Sequence, residues 1–421
     1  MNMLIDKLGL KNKKDLIGFF SVLTTGQIIY SAFEAFKGTF YNLLLEVLNI
    51  SNSELGVIFS LIGISVFFYI PGGWVNNRFS IKSILIFGLI VRFITMTFVI
   101  TCSPSFSILK IIAIIWGVVD AFFWPAVLNG VTLFTKENKR AIGFGLLESV
   151  RRAEEMLMNL LIVAIMTIFS GIAIFKGSML TYNLLILPLI ILIIKFVPKN
   201  GISTEKENNN INKSKEALRG IFFVFSKPKI WLAAISALTI YWSYIILIYS
   251  VPYLQNLYDL STSQTALFGI FNTGLMGVLM GIIAGIIANF VFKSSSKMIA
   301  VALFISSVIL TIIVFFKIPM VLSFMLLILF SVTTFLSKSV ILAPIAELKI
   351  PEKYMGSAMS IGSFVAYAPI FWVYTMNGAF LDLYSSNKII AYELIFKIGI
   401  GVSILGCLSS MLLTIINKRT S

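Results

Sequence analysis

Five basic and five acidic side chains stand inside runs of this chain that are otherwise apolar: Lys37, Arg92, Arg151, Arg152 and Lys338, against Glu34, Asp120, Glu148, Glu154 and Glu155. A charge at the centre of a bilayer costs about 2.5–3.5 kcal/mol even on a lenient insertion scale. Ten left unpaired would cost on the order of 30 kcal/mol, well beyond a folding stability of about 5–15 kcal/mol. Most must therefore be paired, wetted or held against a ligand. Buried bases attract anions, and a buried carboxylate with a raised pKa can load and release a proton near neutral pH. Anion binding, proton carriage and ion-pair switching are thus the chemistries this set permits.

Eight of the ten flank or occupy two neighbourhoods. Trp116 to Glu155 holds Asp120, Glu148, Arg151, Arg152, Glu154 and Glu155 in two apolar runs joined by a basic loop, Lys136 to Arg140. Glu34 and Lys37 lie in the first run, Lys37 about eleven residues, or about 16 Å of helix, from its outer end. Lys37 reads either as an anion ligand or as the partner of Glu34 at i, i+3. Glu148, Arg151, Arg152, Glu154 and Glu155 form a ladder at i, i+3 and i+4, and such pairs neutralise one another. Arg152 and Glu154 point away from the face of Arg151 or Glu155, which leaves Arg151 and Glu148 as the candidates for a working role. Arg92 and Asp120 read as a buried ion pair or a strut for that ladder. Lys338 is flanked by Ser331, Thr333, Thr334, Ser337 and Ser339, with no acid nearby in its own half. The first half of the set is one charge negative and the second one positive, so Lys338 is expected to close an ion pair between halves that substrate or a proton breaks. Trp124, Tyr241 and Tyr367 could stack on a ring-bearing solute or simply pack.

These residues need helices to position them. With 58% hydrophobic residues, 12% charged residues and a mean hydropathy of +0.97, the chain is far less charged than a soluble average of about 25%. Runs long enough to cross a hydrocarbon core recur throughout. Twelve are read, at 17–47, 54–76, 83–104, 107–135, 141–173, 177–197, 230–258, 263–292, 298–316, 319–348, 355–383 and 390–416. They are continuous rather than alternating, which excludes a barrel. The net charge of +15 follows topology. With inward termini, 23 of the 33 Lys and Arg fall on the inner side, four on the outer and six within spans, as the positive-inside rule requires. The expectation is a multi-pass plasma-membrane monomer with cytoplasmic termini and no nucleic-acid partner.

A polar linker, 198–229, divides residues 1–197 from 230–421, six spans in each. Weak echoes relate the halves: Ser51 to Glu54 opens span two as Ser261 to Gln264 opens span eight, and Gly73 with Asn77 and Lys82 parallels Gly285 with Asn289 and Lys293. Duplicated bundles with a site near midplane are a transporter architecture. Pro125, Pro344 and Pro369, and the glycines of span eight, are expected to kink or bring helices close. Enzymatic chemistry finds no support. Histidine is absent, the two cysteines (Cys102 and Cys407) are far apart, and there is no Walker-type loop or HExxH motif. No cofactor or metal is expected, and no cleavable signal peptide.

The loop between spans two and three, with Gly73, Asn77, Arg78, Ser80 and Lys82, resembles the Gly-x-x-x-Asp-Arg-x-Gly-Arg/Lys-Arg/Lys signature of the major facilitator superfamily, with an amide for the acid and a serine for the second glycine. FWPAVLNG, AIGFGLLESVRR and YAPIFWVYTMNGAFLD resemble the YihN-type transporters of that superfamily, near its organophosphate:phosphate antiporters and anion:cation symporters. The resemblance implies an all-α fold of twelve helices in two pseudo-symmetric bundles, a conformational-switch role for the Gly73 loop, an anion contact at Lys37 and a substrate-facing position at Arg151. Span seven has no base, so a two-arginine phosphate clamp is not implied. The expected function is secondary active transport of a small organic anion such as a sugar phosphate, sulfonate or sugar acid, coupled to a proton or a counter-anion. Lys37, Arg151, Lys338, Tyr241, Trp124 and Tyr367 would bind substrate, and Glu34, Asp120, Glu148, Glu155 and Arg92 would serve coupling or ion pairing. A carrier or exporter of neutral sugars or amphiphilic drugs, and a membrane sensor, are the alternatives.

Overall fold

The computed structural model describes residues 10, 12–68, 75, 76, 78–136, 140–169, 171–199, 224–348 and 350–419. All regular elements among them are helical. Nine helices are long and apolar enough to cross a membrane among the described residues, or up to ten when the bent pair Tyr41–Leu48 and Asn52–Phe68 counts as one span. The remaining difference from twelve lies partly in Arg140–Ile168, long enough at 29 residues but laden with charge, and in the first span, which is broken.

The chain divides into two compact units, Met1–Glu205 with Thr262–Ile270, and Lys206–Ser261 with Phe271–Ser421. In the first, α1 (Lys13–Ser31) is capped by Asn12, whose side chain accepts from the Asp15 amide at 3.0 Å. The chain then leaves the α-helical path at Ala32 and Phe33, makes a single 3₁₀ turn over Glu34–Phe36 and resumes as α2 (Tyr41–Leu48). Glu and Lys are good helix formers, so local propensity does not cause the break. Phe33, Phe36 and Phe40 are all buried and meet Phe59, Trp116, Phe175 and Tyr182, so tertiary packing is the competing force.

Asn49, in the left-handed region at φ 52°, ends α2, and Ser51 with Glu54 forms a reciprocal capping box that starts α3 (Asn52–Ile62). Satisfying two orphan amides fixes that corner, where the helices meet at 98°. Next come α4 (Ile81–Cys102), α5 (Phe106–Phe134), α6 (Arg140–Ile168), α7 (Ile172–Leu184) and α8 (Ile186–Phe196). α1 packs against α5, α6 and α8, while α5 also carries α3 and α4. A Cβ at Gly117 of α5 would lie 2.8 Å from the carbonyl oxygens of Leu61 and Ile62. Only glycine lets those backbones approach so closely.

The second unit is built on α9 (Pro228–Tyr258), a helix buried along most of its length, which packs against α13, α15 and α17. Thr262–Phe292 is one long helical stretch, whose first part, α10 (Thr262–Gly269), belongs to the first unit; α10 and α11 (Met276–Ile286) are joined and followed by π-helical turns at Ile270–Leu275 and Ile287–Phe292. Then follow α12 (Ser295–Phe315), α13 (Met320–Ser339), α14 (Ala343–Ala346), α15 (Glu352–Tyr367), α16 (Val373–Leu383) and α17 (Lys388–Arg419). Pro344 opens α14 after a break, and Pro369 lies in a 3₁₀ turn, Ala368–Phe371, between α15 and α16. Pro125, expected to act in the same way, sits inside an uninterrupted α5. Gly274 falls within the first π turn.

Candidate functional site

In the first unit the buried charges gather in two places. Arg92 of α4 forms an ion pair with Glu34 from the broken segment. Its guanidinium also lies 3.8 Å from the Trp116 ring centroid, and Trp116 donates to the Thr95 hydroxyl at 2.8 Å. Asp120 of α5 lies within electrostatic reach of Glu34 and Arg92 and hydrogen-bonds with Tyr30. Two carboxyl groups thus share one guanidinium. The expected pairing of Arg92 with Asp120 becomes a three-membered group in which Glu34 holds the direct contact, because the break after α1 carries Glu34 towards α4. Lys37 adds a second positive influence on Glu34 and places its ammonium 5.5 Å from the Phe59 ring centroid.

The second place is on α6, which runs beside α1. Arg151 donates from Nε to the Gly26 carbonyl at 2.9 Å and pairs with Glu148 at 2.9 Å. Its guanidinium carbon stands 4.5 Å from the Trp124 ring centroid. Arg151 is 18% exposed and Glu148 56%, so the pair has one exposed side. Arg152 instead pairs with Glu155 at 2.8 Å. Glu154 takes the Thr24 hydroxyl at 2.6 Å, a contact across 130 residues. Arg151 and Glu154, one helical turn apart, thus both face α1, at Gly26 and Thr24, contrary to the expectation that Glu154 points away from Arg151, while Arg152 and Glu155 pair with each other. Sequence reasoning missed Tyr30 and Thr24, whose only signal is a polar side chain on an apolar helix.

In the second unit Lys338 occupies the last turn of α13, 18 residues or about 27 Å of rise beyond Met320. There its charge complements the negative end of the helix dipole. Its ammonium lies 3.4 Å from the Tyr244 ring centroid and 5.5 Å from that of Phe335. Tyr241 stands 5.6 Å from Tyr244 and 4.8 Å, edge-on, from Tyr367. Lys338, Tyr241 and Tyr367 therefore come together, on α9, α13 and the end of α15, with Tyr244 and Phe335 as the residues not foreseen. Tyr244 follows Tyr241 by one helical turn, which was the available clue.

Of the loop implied to act as a switch, Gly73 and Asn77 lie outside the described residues. Arg78 is exposed, and Lys82 donates to the Ile194 carbonyl. No group of three or more carboxylate or cysteine side chains is placed to hold a metal among the described residues.

The family model described as Major Facilitator Superfamily matches residues 17–374. The inner membrane protein YihN of Escherichia coli (strain K12) is 27% identical over 415 residues, spanning 96% of this chain and 95% of that protein. The inner membrane protein YqcE of the same strain is 24% identical over 349 residues, spanning 80% and 81%. The crystal structure of the nucleoside transporter NupG superposes with a TM-score of 0.73 at 11% identity, covering 96% of this chain and 99% of that one. A bacterial homologue of the human lysosomal transporter Spinster superposes with a TM-score of 0.67 at 12% identity, covering 96% of each. The chain belongs to the Major Facilitator Superfamily, and it is a multi-pass membrane carrier rather than an enzyme.

Proposed function

We propose that this secondary carrier moves a small organic anion, such as a sugar phosphate, sulfonate or sugar acid, across the plasma membrane by alternating access, driven by a proton or a counter-anion. Lys37, Arg151 and Lys338 attract the anion, while Trp124, Tyr241 and Tyr367 offer ring faces. Glu34, Asp120, Glu148, Glu155 and Arg92 form the ion-pair and coupling set. Gly73, Asn77, Arg78 and Lys82 form the switch loop. The reading includes twelve spans in two six-helix bundles, 1–197 and 230–421, joined by a cytoplasmic linker at 198–229, with cytoplasmic termini and a monomeric state.

The observation that supports it is that cations in both units rest on aromatic faces: Lys338 at 3.4 Å from the Tyr244 centroid and Arg151 at 4.5 Å from that of Trp124. Such a contact is worth about 0.5–2 kcal/mol, against about 2.5–3.5 kcal/mol for placing a charge in the hydrocarbon. The ring lowers the cost of the charge without cancelling it. The test is uptake into proteoliposomes across a panel of anionic and neutral metabolites, with Arg151→Ala and Lys338→Ala. Selective uptake of anions, reduced at least tenfold in each variant, supports the reading. Uptake of neutral compounds alone would overturn it. Collapse of uptake with an uncoupler assigns proton coupling, and dependence on an internal anion assigns exchange.

A further inference from the structure

α10 and α11 are parts of one span, yet the chain passes from one unit to the other between them. α10 belongs with the first unit, and the residues from Phe271 onward belong with the second. α10 packs against α6, and in the last turn of α6 the Thr167 hydroxyl donates to that of Ser263 at 3.3 Å. At the other end of α10, Gly269 lies against the chain that follows the broken segment. A Cβ there would stand 2.7 Å from the Gly38 carbonyl oxygen and 3.0 Å from the Thr39 Cα, an approach that only glycine permits. Thr39 is itself tied to α6, where the Asn159 amide donates to its hydroxyl at 3.3 Å.

Three residues after Gly269 the fastening is to the second unit. Asn272, fully buried, donates its amide to the Ser250 hydroxyl of α9 at 2.9 Å, and Ser331 of α13 donates to the Asn272 carbonyl. Buried bonds of that kind are costly to leave unmade, so this part of the span stays with α9 and α13. The passage from one fastening to the other falls in the π-helical turn Ile270–Leu275, which also holds Gly274. Turns of this type are where helices bend, and they gather at functional positions. α10 is only eight residues long, and Thr167 at its edge is exposed, which makes it the end that can part.

We infer that α10 is a hinged cover, which parts from α6 and from Gly38 and Thr39 by bending at the π turn while the rest of the span stays fixed to α9 and α13. The covered residues immediately follow Lys37, so parting uncovers the backbone beside that cation. Only the meaning of that exposure, access of an anion to Lys37, rests on the proposed function. A span moving as a rod would carry Gly269 and Asn272 together, whereas a hinge moves the first and leaves the second. The carrier's cycle then includes a change of shape within one helix as well as the rocking of bundles.

The experiment measures how fast a water-soluble maleimide labels single introduced cysteines in the purified full-length chain in lipid nanodiscs, with Cys102 and Cys407 replaced by serine. Thr39→Cys reports the covered segment and Ser250→Cys the fastening at Asn272. Ser306→Cys, fully buried in α12, reports opening of the whole molecule. Thr39→Cys should label at least ten times faster than either of the others. Gly269→Val, which wedges α10 away, should speed labelling of Thr39→Cys further and leave Ser250→Cys unchanged. A disulfide joining Thr167→Cys to Ser263→Cys, whose hydroxyls are close enough for one, should slow labelling of Thr39→Cys at least tenfold. Labelling of Thr39→Cys no faster than that of Ser306→Cys would overturn the inference. So would Ser250→Cys labelling as fast as Thr39→Cys, failure of the cysteine pair to link, or a link that leaves labelling unchanged. No anion enters the measurement, so its failure leaves the substrate reading standing, and failure of that reading leaves the hinge standing.

Discussion

Replacing Arg92 with leucine removes the one guanidinium that serves both Glu34 and Asp120. Arg92 is 3% exposed and Glu34 12%, so the pair is screened little by water. Breaking a buried pair from one side costs about 3–5 kcal/mol, and losing the face of Trp116, 3.8 Å away, adds about 0.5–2 kcal/mol. The expected loss is therefore about 3.5–7 kcal/mol, which is much of a typical stability of about 5–15 kcal/mol. Glu34→Gln should cost less, because Arg92 keeps Asp120 and Trp116. The double variant Arg92→Leu/Glu34→Gln no longer buries the unpaired Glu34 charge, so it should recover at least about 2 kcal/mol relative to additivity. The assay is equilibrium unfolding of the purified protein in detergent, followed by tryptophan fluorescence at pH 7. A loss below about 1 kcal/mol for Arg92→Leu, or strict additivity in the cycle, would refute the argument that this pair is desolvated and coupled.

Arg151→Lys keeps the charge but loses the planar contact with Trp124 and the fork that reaches both Gly26 and Glu148, so transport affinity should fall at least about fivefold in proteoliposomes. Gly117→Ala sets a methyl group against the backbone oxygens of Leu61 and Ile62 and should cost about 1–3 kcal/mol by thermal unfolding. Gly177→Ala, where nothing lies within 4 Å of the added atom, should instead leave stability unchanged or raise it by up to about 1 kcal/mol. Thr24→Val removes the donor to Glu154 and should destabilise by about 1–3 kcal/mol, with Thr24→Ser restoring most of it.

Hydropathy made the helical class and most of the spans legible, since it depends only on composition over about 20 residues. The opening of span two at Ser51 to Glu54 was legible for a similar reason, since the capping box found there is made of local bonds. The first span was not. Its residues favour a continuous helix, and the break at Ala32 to Phe36 answers to rings contributed by Phe59, Trp116 and Phe175, far away in the chain. The ionic partners divide in the same way. Arg151 with Glu148 and Arg152 with Glu155 could be read from i, i+3 spacing, while Arg92 with Glu34 spans 58 residues and Glu154 with Thr24 spans 130. The spacing also misled for Glu154, expected on another face from Arg151: the two are one turn apart and both reach α1, at Thr24 and Gly26.

The breaks and the cations belong to one physical problem. An uninterrupted helix satisfies its own backbone and offers a cation nothing but side chains, whereas an ended helix presents carbonyl oxygens with the negative end of its dipole. Lys338 takes that position at the end of α13, with Tyr244 beneath it. Lys37 stands at the close of the 3₁₀ turn, with Phe59 beside it. A carrier needs a charge that is tolerable when no anion is bound and still attractive when one arrives. A ring face and a helix end each offset a fraction of the cost, about 0.5–2 and 0.3–1 kcal/mol, against about 2.5–3.5 kcal/mol. Arg92 meets the same cost differently, through its ion pair with Glu34 and the face of Trp116.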